Sequence, residues 1–130
     1  MRLLLDTHIA IWAALDSPRL PPTARALIVD TANPLYVSAA TIWEIAIKHA
    51  LRRSVAAMPL SAAEALSCFR EAGYALLPVT PEHARALEEL PALHGDPFDR
   101  MLVAQALTEP LRLVTQNPLV GRYGEMVLRV

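Results

Sequence analysis

Asp6, Glu44, Asp96 and Asp99 are the residues whose positions first suggest chemistry in this 130-residue chain. Asp6 directly follows an apolar run, Glu44 stands in a stretch that is apolar nearly all round, and the other two lie three residues apart. A carboxylate in apolar surroundings costs free energy unless it is paired or binds a metal ion. If the fold brings these acids together, their oxygens suit Mg²⁺ or Mn²⁺. Such ions activate water for attack on phosphate esters.

The first two acids also have structural interpretations. Asp6 could cap the helix that follows it, although Thr7 competes for that role and is the residue we expect there. Glu44 and Lys48 are four residues apart, so they could form an ordinary helix pair that contributes about 0.3–0.5 kcal/mol. Residue types alone leave the interpretation of Glu44 evenly divided between this pair and a functional site.

The second pair of acids is equally open. Asp96 fits a helix N-cap and Pro97 the first helical residue, with Asp99 favoured by the helix dipole. One cap needs one acid, so the other can point elsewhere. Thr115 follows a later apolar run, where its hydroxyl could meet a ligand or start a turn. The histidines have no ligand spacing and are expected at the surface or in the packing; His94, nearest the acids, is the best site candidate among them.

Short apolar runs alternate with helical stretches of about ten residues, the pattern of a parallel sheet with helices on both faces. The predicted strands are 3–5, 35–37, 74–79, 111–114 and, least regular, 127–130. The predicted helices are 7–15, 22–31, 40–53, 61–73, 81–90, 97–107 and a short helix or turn at 117–123. Trp12 and Trp43 are expected in the core. Ligands bind such sheets beyond the carboxyl ends of the strands, where Asp6 and Thr115 would lie.

Composition narrows the class of protein. A hydrophobic content of 54% and a net charge of −1 are typical of one folded domain, here 1–130, and argue against disorder and against a DNA-coating protein. Cys68 is the single cysteine, so no internal disulfide is possible. No signal-peptide stretch or membrane span is apparent. We expect a cytoplasmic protein.

Three segments resemble the VapC-type toxins, a bacterial branch of the PIN-domain family. They are Leu-Leu-Leu-Asp-Thr-His at 3–8, Trp-Glu-Ile-Ala-Ile-Lys at 43–48 and His-Gly-Asp-Pro-Phe-Asp-Arg-Met-Leu-Val-Ala-Gln-Ala at 94–106. The resemblance implies an α/β, PIN-like three-layer domain with a parallel sheet of four to five strands. It also implies an endoribonuclease that depends on Mg²⁺ or Mn²⁺ and is held inactive by a cognate antitoxin protein.

The resemblance assigns roles to particular residues. Asp6, Glu44 and Asp99 match the acidic positions that bind metal and carry catalysis in the family. Thr7 and Thr115 match supporting hydroxyls. Further along, Asp96 matches a second acid of this branch, and Asn117 stands where the family frequently has a fourth acid. An amide lacks the charge, which puts in doubt a second tightly held metal and full activity.

Two other functions fit parts of the pattern. Asn117 would also suit a PIN fold that has lost catalysis and serves only for interaction. A receiver-type domain that accepts phosphate on aspartate would share the parallel sheet, but it would need adjacent acids after the first strand and a lysine late in the chain. Here Thr7 follows Asp6, and Lys48 is the only lysine.

The apolar content also predicts interfaces. A domain of this size buries only about two-thirds of its surface, so apolar side chains should remain for partners. We expect an apolar groove, with helices 23–31 and 40–53 as walls, that takes an amphipathic helix of the antitoxin. We also expect a two-fold homodimer.

Overall fold

The computed structural model describes residues 1–51 and 58–130. The strands form a single parallel sheet in the order β3-β2-β1-β4-β5. Their bounds are β1 (Leu3–Leu5), β2 (Leu35–Ser38), β3 (Ala75–Leu77), β4 (Arg112–Thr115) and β5 (Val127–Arg129). All five predicted strands are therefore present, and the predicted α/β fold class with a parallel sheet is confirmed.

The helices of the described residues connect these strands. They are α1 (Thr7–Ala14), α2 (Pro22–Val29), α3 (Ala39–Leu51), α4 (Ala62–Glu71), α5 (Pro81–Ala86), α6 (Pro97–Thr108) and α7 (Pro118–Gly121), with a 3₁₀ turn at Leu87–Glu89. Several begin on proline, which needs no donor at the first helical position. Ser61 and Glu64 form a capping box at the start of α4. The expected end of α3 at Arg53 lies outside the described residues.

Several predicted elements are shorter than expected, and proline explains two of them. The strand predicted over 74–79 ends at Leu77, because Pro78 has no N–H to continue the ladder. The helix predicted over 81–90 tightens into the 3₁₀ turn after Ala86. Pro91 disfavours helical geometry at the residue before it, which explains an early end.

The central strand β1 separates two apolar cores. Leu3 and Leu5 face one core and Leu4 faces the other, and all three side chains are fully buried. The first core is covered by α1–α4 and the second by α6 and α7, with α5 packed on α6. This double burial explains why β1 is a continuous apolar run. It also fixes the end of β1, and hence Asp6, at the middle of the sheet edge.

In the part of the chain that the structure describes, no helix is long and apolar enough to cross a membrane.

Candidate active site

The acids meet in a cleft of about 460 Å³. The cleft lies at the carboxyl ends of the central strands, where the strand order reverses at β1, as predicted for a sheet of this type. Its lining residues come from four separate parts of the chain: Asp6, Thr7, His8, Ile9, Trp12, Glu44, Lys48, His94, Asp96, Asp99, Gln116, Asn117 and Pro118.

Asp6 links β1, α1 and β4. One carboxylate oxygen accepts a hydrogen bond from the Ile9 N–H at 2.9 Å, and the other accepts one from the Thr115 hydroxyl at 2.5 Å. Burial raises the pKa of Asp6 from 3.8 to about 6, although both hydrogen bonds oppose the shift; the charge of Asp99 adds to it. The carboxylate is therefore held in place but not neutralised by its neighbours.

Thr7 does not cap α1, and that prediction is wrong. Asp6 is the N-cap, and Thr7 is the first helical residue. The hydroxyl of Thr7 instead donates to Glu44 Oε1 at 2.7 Å and lies 3.2 Å from the Thr41 hydroxyl. Both residues can cap a helix, and here the buried carboxylate of Glu44 supplies a better partner for the threonine.

Glu44 fits both of its interpretations at once. Its side chain is almost fully buried on α3, yet it lines the cleft. Its second oxygen, Oε2, accepts from Lys48 Nζ at 2.5 Å, so the i,i+4 pair forms as well. Although partial burial lowers the pKa of Lys48, the hydrogen bond and charge of Glu44, with the charges of Asp96 and Asp99, raise it overall.

The two acids around Pro97 divide the roles that the sequence left open. Asp96 is the N-cap of α6, and its Oδ1 accepts from the N–H groups of Phe98 at 2.8 Å and Asp99 at 3.0 Å. Asp99 turns into the cleft, where its Oδ2 lies 2.7 Å from His94 Nε2. Burial raises the pKa of Asp99, as do the charges of Asp96 and Glu44, while His94 opposes the shift.

Thr115 and Asn117 support the other wall. The Thr115 hydroxyl donates to Asp6 and accepts from the Asn117 N–H at 3.1 Å. Asn117 lines the cleft, but its side-chain oxygen accepts from the Leu119 N–H at 2.9 Å and caps α7. The Leu119 N–H therefore fixes the direction of this oxygen, which keeps a second lone pair for a metal-bound water.

Sequence reasoning missed several lining residues and misplaced one tryptophan. His8, Gln116 and Pro118 adjoin predicted site residues in the chain, which was the available signal. Trp12 is half-buried against the core and also lines the cleft. Trp43 is not in the core: its side chain is 61% exposed and packs edge-to-face on Phe98. A helix that is apolar nearly all round does not reveal which face the protein covers.

The donor set fits a hard divalent cation. Four carboxylates line one cleft, and mutual repulsion contributes to the raised pKa values of Asp6 and Asp99. Yet within residues 1–51 and 58–130 no three His, Cys, Asp or Glu side chains stand close enough to hold one ion as they are. Asp6 and Glu44 have both oxygens engaged in hydrogen bonds. The chemistry suits a metal, and the arrangement would have to adjust to receive it.

The fold and the cleft define a parallel α/β domain with an acidic cleft where the strand order reverses. The chain belongs to the PIN-domain family, whose profile matches residues 3–125. It is 34% identical over 118 residues to Ribonuclease VapC22 of Mycobacterium tuberculosis, an alignment that covers 88% of this chain and 86% of that protein. The resemblance inferred from three segments of sequence is confirmed.

Solved structures show the same fold. The crystal structure of VapBC2 from Rickettsia felis, bound to a DNA fragment from their promoter, superposes with a TM-score of 0.67 at 15% identity and covers 100% of this chain and 98% of that chain. FitAcB from Neisseria gonorrhoeae gives a TM-score of 0.56 at 20% identity, with 91% and 89% covered. At these identities the likeness concerns the fold.

Proposed function

We propose that this protein is a divalent-metal-dependent endoribonuclease and the toxin of a toxin–antitoxin pair. The observation that carries the proposal is the cleft in which Asp6, Glu44, Asp96 and Asp99 meet at the strand-order reversal. The similarity to a protein named as a ribonuclease supports the substrate class. A bound Mg²⁺ or Mn²⁺ would activate water and stabilise the charge that develops on the phosphate.

Five residues in or beside the cleft have tasks in this proposal. Asp6, Glu44 and Asp99 hold the ion through carboxylate oxygens. Thr115 fixes the orientation of Asp6, and Thr7 fixes that of Glu44. Because Asp6 and Asp99 lie at helix starts, their backbones are restrained by the first turns of α1 and α6. These restraints keep the carboxylates in place before RNA arrives.

Asp96 has a double role in the proposal. It caps α6 with one oxygen, and no described residue donates to the other, so it can add a fourth negative charge to the cleft. Such a charge compensates for the neutral Asn117.

An interaction module without catalysis remains the second candidate, favoured only by the amide of Asn117. Membership of the PIN family excludes the receiver-type alternative.

We propose that the antitoxin binds to a mostly apolar groove of this protein beside the cleft. A groove of about 480 Å³ beside α1 is lined by His8, Ile11, Trp12, Leu15, Ser17, Arg19 and Pro59, most of them apolar. It shares His8 and Trp12 with the acidic cleft. An amphipathic segment bound there would reach the acids. We propose this groove on α1 for the antitoxin, in place of the walls at 23–31 and 40–53 that the sequence led us to expect.

A second copy of the chain would need a different surface. On α3, Trp43, Ile47 and Leu51 are exposed and lie four residues apart, so they form one apolar stripe. We propose this stripe as the interface of the homodimer. Light scattering at tens of micromolar would test it, and Ile47→Glu should give a monomer. A monomeric unmodified protein would contradict the proposal.

The enzymatic proposal has a direct test. Purified protein is incubated with mixed RNA in EDTA, in Mg²⁺ and in Mn²⁺, beside Asp99→Asn as the matched control. Cleavage that needs a divalent ion and disappears in the variant is expected. We propose cytoplasmic RNA as the target. Because the antitoxin would hold the enzyme inactive, its co-expression should suppress cleavage in extracts. Metal binding without cleavage of any RNA would favour the interaction module.

A further inference from the structure

Lys48 is a charged residue of the cleft for which the proposed reaction has no use. Its ammonium lies 2.5 Å from Glu44 Oε2, and its side chain is partly open to solvent, whereas Glu44 is buried. It is also the only lysine in the chain. An ordinary surface pair of this spacing is weak. Here one partner is buried, so loss of the ammonium would leave a carboxylate without charge compensation.

Electrostatics connect this pair to the whole cleft. The charges of Asp96 and Asp99 act on Lys48 as well as that of Glu44, and Glu44 in turn acts on Asp99. Lys48 is therefore the ammonium that all three acids share. A divalent ion bound among the same acids would take over that neutralising role. Two cations cannot both approach Glu44 Oε2 closely without strong mutual repulsion.

The hydrogen bonds of Glu44 point to the same competition. Oε1 accepts from the neutral hydroxyl of Thr7 and Oε2 from the ammonium of Lys48, so a metal ion at Oε2 would meet another cation. Thr7 can stay on Oε1 while Oε2 exchanges its partner. The exchange requires only that a long, half-exposed side chain swing away.

We propose that Lys48 occupies the place of the divalent ion at Glu44 in the metal-free protein and leaves Glu44 when the ion binds. The inference rests on the proposed metal-dependent function and adds a residue to it. Lys48 thus keeps the empty cleft folded and at the same time lowers its affinity for metal. Metal binding at Glu44 becomes an exchange of one cation for another.

Metal affinity gives the first test, with Mn²⁺ alone as the probe in calorimetry. Lys48→Met removes the competing charge, and we expect Mn²⁺ to bind about tenfold more tightly, equal to about 1.4 kcal/mol. Lys48→Arg keeps the charge and should bind Mn²⁺ like the unmodified protein. Arg85→Met breaks an exposed i,i+4 pair with Glu89 and is the matched control, for which no change is expected.

A double-mutant cycle separates exchange from a general effect of charge. In a Glu44→Gln background, Lys48→Met should change Mn²⁺ affinity less than twofold, because the contested oxygen has lost its charge. An equal tenfold gain in both backgrounds would overturn the exchange, as would unchanged or weaker binding by Lys48→Met. If Lys48→Met does not fold without metal, Lys48→Gln provides the same comparison with a neutral donor.

The single lysine allows the exchange to be observed directly. In protein labelled with ¹³C at lysine Cε, one side-chain resonance reports on Lys48. Saturation with Mg²⁺, which is diamagnetic, should shift and sharpen that resonance as the ammonium leaves Glu44. If calorimetry shows that Mg²⁺ binds but the resonance stays unchanged, the cation exchange is overturned and the proposed function is not. If no divalent ion binds the unmodified protein, both the exchange and the proposed function fail.

Discussion

The protein contains two buried polar regions that treat their acids in opposite ways. Beside α5 and α6, His83 is fully buried and its Nε2 lies 2.5 Å from Glu109 Oε2. Its Nδ1 accepts from the Thr80 N–H at 3.0 Å, so the ring hydrogen is on Nε2 and donates to Glu109. Here one acid has one dedicated donor. In the cleft, four acids share Lys48 and His94.

The difference separates a structural acid from a functional one. The pair of His83 and Glu109 joins the start of α5 to the end of α6, and nothing further needs to bind there. In the cleft four carboxylates lie close together, most of their hydrogen-bond donors are neutral, and burial raises the pKa of both Asp6 and Asp99. Buried acids indicate a ligand site when their charge exceeds what the protein itself supplies.

Replacing an acid by its amide should have the largest effect and should act in the cleft alone. Asp6→Asn and Asp99→Asn are each expected to reduce RNA cleavage to background while the fold stays intact, because each removes a charge that binds the ion. Glu109→Gln is the matched control, since its amide oxygen can still accept from His83. Cleavage assays at saturating Mn²⁺ with circular dichroism decide. Full activity of either cleft variant would contradict the site assignment.

Truncating the histidine should destabilise the protein without disturbing the cleft. His83→Ala leaves Glu109 without its donor and a void at a fully buried position, and we expect a loss of about 3 kcal/mol in the free energy of unfolding. Urea denaturation measures it, with calorimetry to check that Mn²⁺ affinity is unchanged. A loss in the free energy of unfolding below about 0.5 kcal/mol would mean that the contact between His83 and Glu109 does not stabilise the fold.

Acid should stabilise the metal-free cleft. The folded-state pKa of Asp6 is raised from 3.8 to about 6, so the folded protein binds more protons than the unfolded chain between these values. Stability therefore falls as pH rises from about 4 to about 6, by about 2 kcal/mol. Denaturation curves in EDTA should show this slope in the unmodified protein relative to Asp6→Asn. Saturating Mn²⁺ should abolish this difference in pH dependence between the unmodified protein and Asp6→Asn. Equal pH dependence of the two proteins in EDTA would contradict the raised pKa of Asp6.

Adding a fifth acid should have the smallest effect. Asn117→Asp keeps the cap of α7, because aspartate caps a helix as well as asparagine, and adds one charge to the cleft. We expect Mn²⁺ to bind more tightly by about 1 kcal/mol, since repulsion among the carboxylates offsets much of the attraction. Calorimetry with Asp96→Asn in parallel decides between the two positions. If only Asp96→Asn changes the affinity, Asp96 is the fourth acid and Asn117 has no role in binding.

Sequence patterns predicted the sheet because each strand is a local apolar run between turn signals. They also offered a cap of α6 as one of two interpretations of Asp96, since Asp-Pro before an apolar stretch is a local signal. Partners that are distant in the chain could not be read in this way. The bond from Thr7 to Glu44 joins residues 37 positions apart. Side-chain direction on α3, which exposes Trp43 and buries Glu44, depends on packing that no local pattern encodes.

The strand order also has a consequence for how the protein is made. Asp6 leaves the ribosome first, but its partner Thr115 lies 109 positions later, on the strand that pairs with β1. Asp99 is missing until α6 has been synthesised, and β1 lies unpaired on one side until β4 follows. A nascent chain that ends before residue 99 therefore contains no complete set of acids. The cleft can form only after both α6 and β4 have been synthesised.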